Sequence, residues 1–74
     1  MFVYFISVDQ NIDCAIPCNS TDTFVELEKQ LYVKYPEYRN TNNIFLYNGS
    51  TILRFKTLAE NNVKNESKIM LNNK

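Results

Sequence analysis

The sequence predicts a two-layer α+β domain in which one helix covers a mixed sheet. Three observations carry that expectation. The runs "MFVYFISV" and "ESKIML", near the two ends, are rich in β-branched and aromatic residues and read as strands. Between them, "TDTFVELEKQLYVKYP" shifts to a helical period, with Phe24, Leu27 and Leu31 on one apolar stripe. Further on, "NIFLYNGSTIL" carries Asn48-Gly49 inside an apolar run, the commonest two-residue hairpin signal, because both central positions of a type I′ turn need positive φ.

The elements follow in order. Residues 1–8 have little polarity on either face, as expected of a strand central in its sheet. If Met1, Val3 and Phe5 face the helix, Phe2, Tyr4 and Ile6 face away; a slip of one residue exchanges the sets. "DQN" at 9–11 is a turn. In "IDCAIPC", Ile12, Cys14, Ile16 and Cys18 share a face, and Pro17, unable to donate to a ladder, places this strand at a sheet edge. Thr23 and Glu26 have the spacing of a capping box. Pro36 disfavours helical geometry at Tyr35, so the helix should end near Lys34. "PEYRNTNN" reads as a polar connector. The hairpin arm before Asn48-Gly49 sends Phe45 and Tyr47 to one face and Ile44 and Leu46 to the other; the arm after it, Thr51 to Arg54, is short. "KTLAENNV" has no regular period; Thr57 is placed to cap one tight turn, with Leu58 and Val63 inward. In the last strand Ile69 and Leu71 oppose Lys68 and Met70.

Composition narrows function. Seventy-four residues with a 45% hydrophobic fraction suffice for one small core and a stability of a few kcal/mol. Eight acidic and eight basic residues are scattered to a net charge of zero, without the basic stripe of a nucleic-acid binder. No segment has the length and apolarity of a membrane span, and the apolar opening lacks the basic leader of a signal peptide. Cys14 and Cys18, four apart in one strand, would stand about 13 Å from each other, beyond the roughly 7 Å that a disulfide tolerates. Reduced thiols in a core, and hence an intracellular setting, are expected. With no histidine, no nucleophile beside a base and no glycine-rich phosphate loop, neither metal, cofactor nor catalysis is indicated. Glu26 and Glu28 lie two apart on the helix and point in different directions, which suits capping and solubility rather than acid–base chemistry.

The order and spacing of these features resemble the ubiquitin family. The segment "IFLYNGSTILRFKTLAENNVKNESKIML" runs beside the second half of ubiquitin without a gap. Tyr47 with Gly49, Thr57-Leu58, Asn62-Val63 and Glu66-Ser67 stand at the family's motif positions, and "STDTFVELEKQL" is similar to its helix opening. The resemblance covers essentially the whole of residues 1–74 and implies a single ubiquitin-like β-grasp domain, with first and last strands adjacent, parallel and central. It also favours the first of the two registers for strand one.

The departures from the family matter for function. Conjugated relatives close with Gly-Gly, whereas this sequence ends "MLNNK"; their chain-forming lysines are replaced by Ser50 and Asn65. The resemblance therefore implies a non-conjugated module, the N-terminal part of a longer protein. Its expected partner is a ubiquitin-binding domain, the proteasome or another domain of the host protein, in the cytoplasm or nucleus. In the family the sheet face away from the helix is the binding surface. Leu46 stands at its centre, with Ile44 beside it, Met70 across the neighbouring strand, and Ile6 and either Tyr4 or Val8 from strand one. Lys68 and Lys74 supply part of a polar rim. Alternatives are permanent cover of this face by a host domain, a weak homodimer through it, a covalent modifier whose Gly-Gly tail lies beyond residue 74, and a module resembling GTPase-binding domains that adds a strand at the sheet edge. Pro17 counts against the last.

Overall fold

The computed structural model describes residues 1–8 and 12–73, with Asn73 described for its backbone only. The expected turn at 9–11 and the rim residue Lys74 lie outside the described residues. Five strands form one sheet: β1 (Phe2–Ser7), β2 (Asp13–Pro17), β3 (Asn43–Tyr47), β4 (Ser50–Thr51) and β5 (Ser67–Asn73), with a helix, α1 (Phe24–Lys34), after β2. The order across the sheet is β2-β1-β5-β3-β4. β1 and β5 run parallel, with Val3 opposite Ser67 and Ser7 opposite Leu71; the other neighbours are antiparallel. This mixed five-stranded sheet packed on one helix is a β-grasp arrangement.

Strand parity follows the pattern of the side chains. Val3 and Phe5 of β1, Ile16 of β2, Phe45 of β3, and Ile69 and Leu71 of β5 point toward α1 and are buried. They meet Phe24, Leu27 and Leu31 from the helix. At the centre, the rings of Phe5, Phe24 and Phe45 are mutually inclined, with centroids 4.9 to 5.9 Å apart. Tilted and edge-on pairs at this spacing let the positive ring edges meet the negative faces. The register in which Met1, Val3 and Phe5 face the helix is the one adopted.

Both sheet edges are set by local chemistry. Met1 and Cys18 exchange two backbone bonds, at 3.0 and 2.8 Å. Antiparallel pairs alternate, so Pro17, one position on, turns its nitrogen out of the ladder, where nothing is lost. At the other edge, Asn48 and Gly49 take φ of 51° and 80°, the two positive values of a type I′ turn. β4 is shorter than the expected 51–54 arm: the strand ends at Thr51, Ile52 adds one amide bond to the Phe45 carbonyl at 2.8 Å, and its side chain turns into the core.

Two other expectations are corrected. Thr23 is the N-cap residue of α1, but its side chain makes no capping bond. The amides of Phe24 and Val25 instead donate to the carbonyls of Lys56 and Arg54, each at 3.0 Å, and that of Glu26 to the Thr23 carbonyl. A neighbouring chain segment thus satisfies the first two helix amides, and the Thr23 carbonyl takes the Glu26 amide that the Thr23 hydroxyl would have served. The box forms at the second Thr-x-x-Glu instead: Thr57 donates its amide to Glu60 Oε1 at 2.9 Å, and Glu60 donates its own to Thr57 Oγ1 at 3.1 Å. The connector after α1 is also less polar than its composition suggests. Pro36–Tyr38 form a 3₁₀ turn that buries Tyr38.

Candidate interaction surface

The face away from α1 is assembled by register. Ile6 pairs with Met70 on β5, and Met70 with Leu46 on β3. Three apolar side chains from three strands therefore form a transverse row at spacings of roughly 5 Å. Asp13 and Thr51 close its two ends, opposite Ile6 and Leu46 respectively. One step along, Ile44 lies opposite Asn72, and the amide of Val8 donates to the Leu71 carbonyl at 3.2 Å, which sets Val8 beside the same end of β5. One step the other way, Tyr4 lies opposite Lys68.

Exposure agrees with a surface rather than a second core. Met70 is 39% and Val8 63% exposed, whereas Ile6, Ile44, Leu46 and Tyr4 are half-buried by one another. Among the described residues of this face the charged side chains are Asp13 and Lys68, and both stand at its borders. All six expected contact residues, Ile6, Val8, Ile44, Leu46, Lys68 and Met70, are brought onto one surface, and Tyr4 joins them.

Sequence reasoning missed the continuation of this surface. Beside Ile44, an open groove runs between β3 and the segment after β4, ending at Leu53 and Phe55. Phe55 is 84% exposed, the most exposed large apolar residue described, and Leu53 is 58% exposed. Leu53 falls in the expected hairpin arm, where alternation sets it with Thr51 opposite Ile52, but Phe55 lies between that arm and the aperiodic "KTLAENNV" with no signal beyond its apolar type.

Beneath that segment lies a polar cluster that was equally hidden. Glu28, expected on the solvent side of α1, is buried. Arg54 reaches under the loop with Nε 3.3 Å from Glu28 Oε1, an ion pair without a well-directed hydrogen bond. The same guanidinium donates to the Asn43 carbonyl and lies 5.6 Å from the centre of the Phe45 ring. Tyr32 donates its hydroxyl to Glu28 Oε2 at 2.6 Å and accepts from Asn43 Nδ2 at 2.9 Å; Asn43 Nδ2 also donates to the Tyr38 carbonyl at 2.8 Å. A charge placed here is tolerable because it is paired and bonded.

This environment makes a pH prediction. Burial, reinforced by the bond to Glu28, pushes the Tyr32 phenol up from 10.0 to about 12. A raised pKa means that the folded state holds the proton more tightly. The stabilisation is complete below the unfolded value near pH 10 and is lost as pH rises through 12. A tyrosinate absorbance titration should show a late step that Tyr32→Phe removes.

No protein-family model matches the chain, and no curated protein matches it by sequence. Among the described residues, no helix is long and apolar enough to cross a membrane and no three His, Cys, Asp or Glu side chains gather as a metal-binding set. The two thiols are free, and burial raises the pKa of each. What the geometry offers chemically is apolar contact area with a sparse polar border.

Proposed function

We propose that this chain is a ubiquitin-like protein-interaction domain that binds a protein partner through the apolar sheet face opposite α1. The observation that carries this reading is the row Ile6–Met70–Leu46, three apolar residues side by side on three strands with no cover among the described residues. Contiguous apolar surface on a small domain usually marks a contact site, and an apolar centre with a polar rim is the anatomy of a modest interface. From the resemblance of its motifs, the partner is a ubiquitin-binding domain, the proteasome or another domain of a host protein. A place in the ubiquitin system, and a cytoplasmic or nuclear location, belong to the same proposal.

Binding by strand addition is the less favoured alternative. Pro17 removes a donor from the β2 edge, and β4 is two residues long.

The test is an NMR titration with ubiquitin-binding domains, repeated on Leu46→Arg. Shifts should cluster at Leu46, Met70 and Ile6. The substitution should leave the spectrum folded, since Leu46 is half-exposed, and weaken binding about tenfold or more, as expected for an anchor at the centre of an interface. Shifts confined to residues on the helix side, or undiminished binding by the folded variant, would overturn the proposal.

A further inference from the structure

The groove beside Ile44 is apolar along its walls and cationic inside. Of the eight residues that line it, Arg54 alone is charged. The Arg54 side chain is 40% exposed, while that of its ion-pair partner Glu28 is 10% exposed. A guanidinium carries five N–H donors. Nε faces Glu28 and Nη2 donates to the Asn43 carbonyl, which leaves Nη1 without a hydrogen bond to any described residue. Toward solvent, the groove therefore offers positive charge and unused donors between apolar side chains.

The wall away from β3 is held in place. The carbonyls on either side of Phe55, those of Arg54 and Lys56, accept the first two amides of α1. Leu53 donates its amide to Asn61 Oδ1 at 2.9 Å, and its carbonyl accepts from Asn61 Nδ2 at 3.0 Å and from the Lys56 amide at 3.1 Å. Leu53 and Phe55 thus keep their exposed side chains on a segment tied down at Leu53, Arg54 and Lys56. A wall already ordered adds little ordering cost when a ligand arrives.

We propose that this groove receives an acidic segment of the protein partner that covers the sheet face. A carboxylate of that segment meets the Arg54 guanidinium, and an apolar side chain next to it lies between Ile44, Leu53 and Phe55. A carboxylate matches a guanidinium in sign and in its paired acceptors. A basic segment would be repelled, and a neutral one would bury the unused donors with a weaker partner. Ile44 belongs to both the sheet face and the groove, so one partner reaches both without a break. The identity of the occupant rests on the sheet-face reading; the preference of the groove for a carboxylate does not.

The experiment is an NMR titration of the chain with two peptides, acetyl-Leu-Asp-Leu-amide and the same peptide with asparagine for aspartate. The acidic peptide is expected to shift the Arg54 Nε–H and the amides of Leu53 and Phe55. At low salt it should bind about fivefold more tightly than the neutral one, and the difference should shrink at molar salt. Phe55→Ala, a change in solvent, should keep the spectrum folded and weaken the acidic peptide about threefold or more. Glu28→Gln removes the competing carboxylate and should tighten it. Equal binding of the two peptides, shifts confined to other surfaces, or no binding of the acidic peptide overturns the proposal and leaves the sheet-face reading standing. Binding of the acidic peptide in the groove, with ubiquitin-binding domains leaving Leu46 and Met70 unshifted, overturns the sheet-face reading and keeps the carboxylate site.

Discussion

Phe24→Ala should remove much of the stability of the fold, about 3–5 kcal/mol. Phe24 is fully buried and packs against both other buried phenylalanine rings, 5.9 Å from Phe5 and 4.9 Å from Phe45 between centroids. Truncating such a residue costs about 3–5 kcal/mol in lost transfer energy and residual cavity. A domain of this length has roughly 4–10 kcal/mol in total, with small single cores toward the low end. Each kcal/mol corresponds to about 4–8 °C in melting temperature at this size. A circular-dichroism melt should therefore fall by tens of degrees or vanish. Phe55→Ala is the matched control: the same side chain at 84% exposure should change stability by less than about 0.5 kcal/mol. Equal effects of the two substitutions would contradict the placement of the core.

Arg54→Ala should give the second large loss, about 2–3 kcal/mol by denaturant titration. It strands the buried Glu28 carboxylate without its cation and removes the side-chain donor to the Asn43 carbonyl. Breaking a fully buried pair would cost more, but the Arg54 side chain is 40% exposed and part of the attraction is already screened. The reverse change is gentler. Glu28→Gln keeps an acceptor for Tyr32 and leaves a guanidinium that water can reach, so about 1 kcal/mol is expected. Removing both charges with apolar replacements, Glu28→Leu with Arg54→Met, should come closer to the wild-type stability than Arg54→Ala alone. If the double substitution costs as much as the sum of Glu28→Leu and Arg54→Met measured singly, the two side chains do not interact.

Much of this was legible in the sequence, for reasons specific to each element. Period-two alternation separated Phe45 from Leu46, the resemblance to the ubiquitin family implied that Leu46 is the outward one, and Pro17 marked an edge because its missing donor suits an outer strand. Asn48-Gly49 named its own turn. The contact face could be read because alternation keeps Ile44 and Leu46 together, and the resemblance implied that this set faces away from the helix. What stayed hidden depends on contacts between segments far apart in the chain. Two stretches carry Thr-x-x-Glu, and only the fold reveals that the Thr23 carbonyl takes the Glu26 amide while the Arg54 and Lys56 carbonyls take the two amides before it, and that the box forms at Thr57 and Glu60. Glu28 reads as a solvent-side acid until Arg54, 26 positions later, is brought against it. Phe55 lies where the chain has no period, so its exposure had no pattern to betray it.

The innermost strand of the sheet is also the last of the described strands to be translated. β5 holds β1 on one side and β3 on the other, yet it begins only at Ser67. Until it leaves the ribosome, the N-terminal hairpin and the Asn48-Gly49 hairpin have no shared neighbour, and a lone hairpin is marginal in water. Assembly of this sheet in the cell therefore waits for β5, whatever chain follows it. A nascent chain arrested before β5 would offer chaperones and proteases two loose ribbons and an uncovered helix rather than a smaller version of the domain.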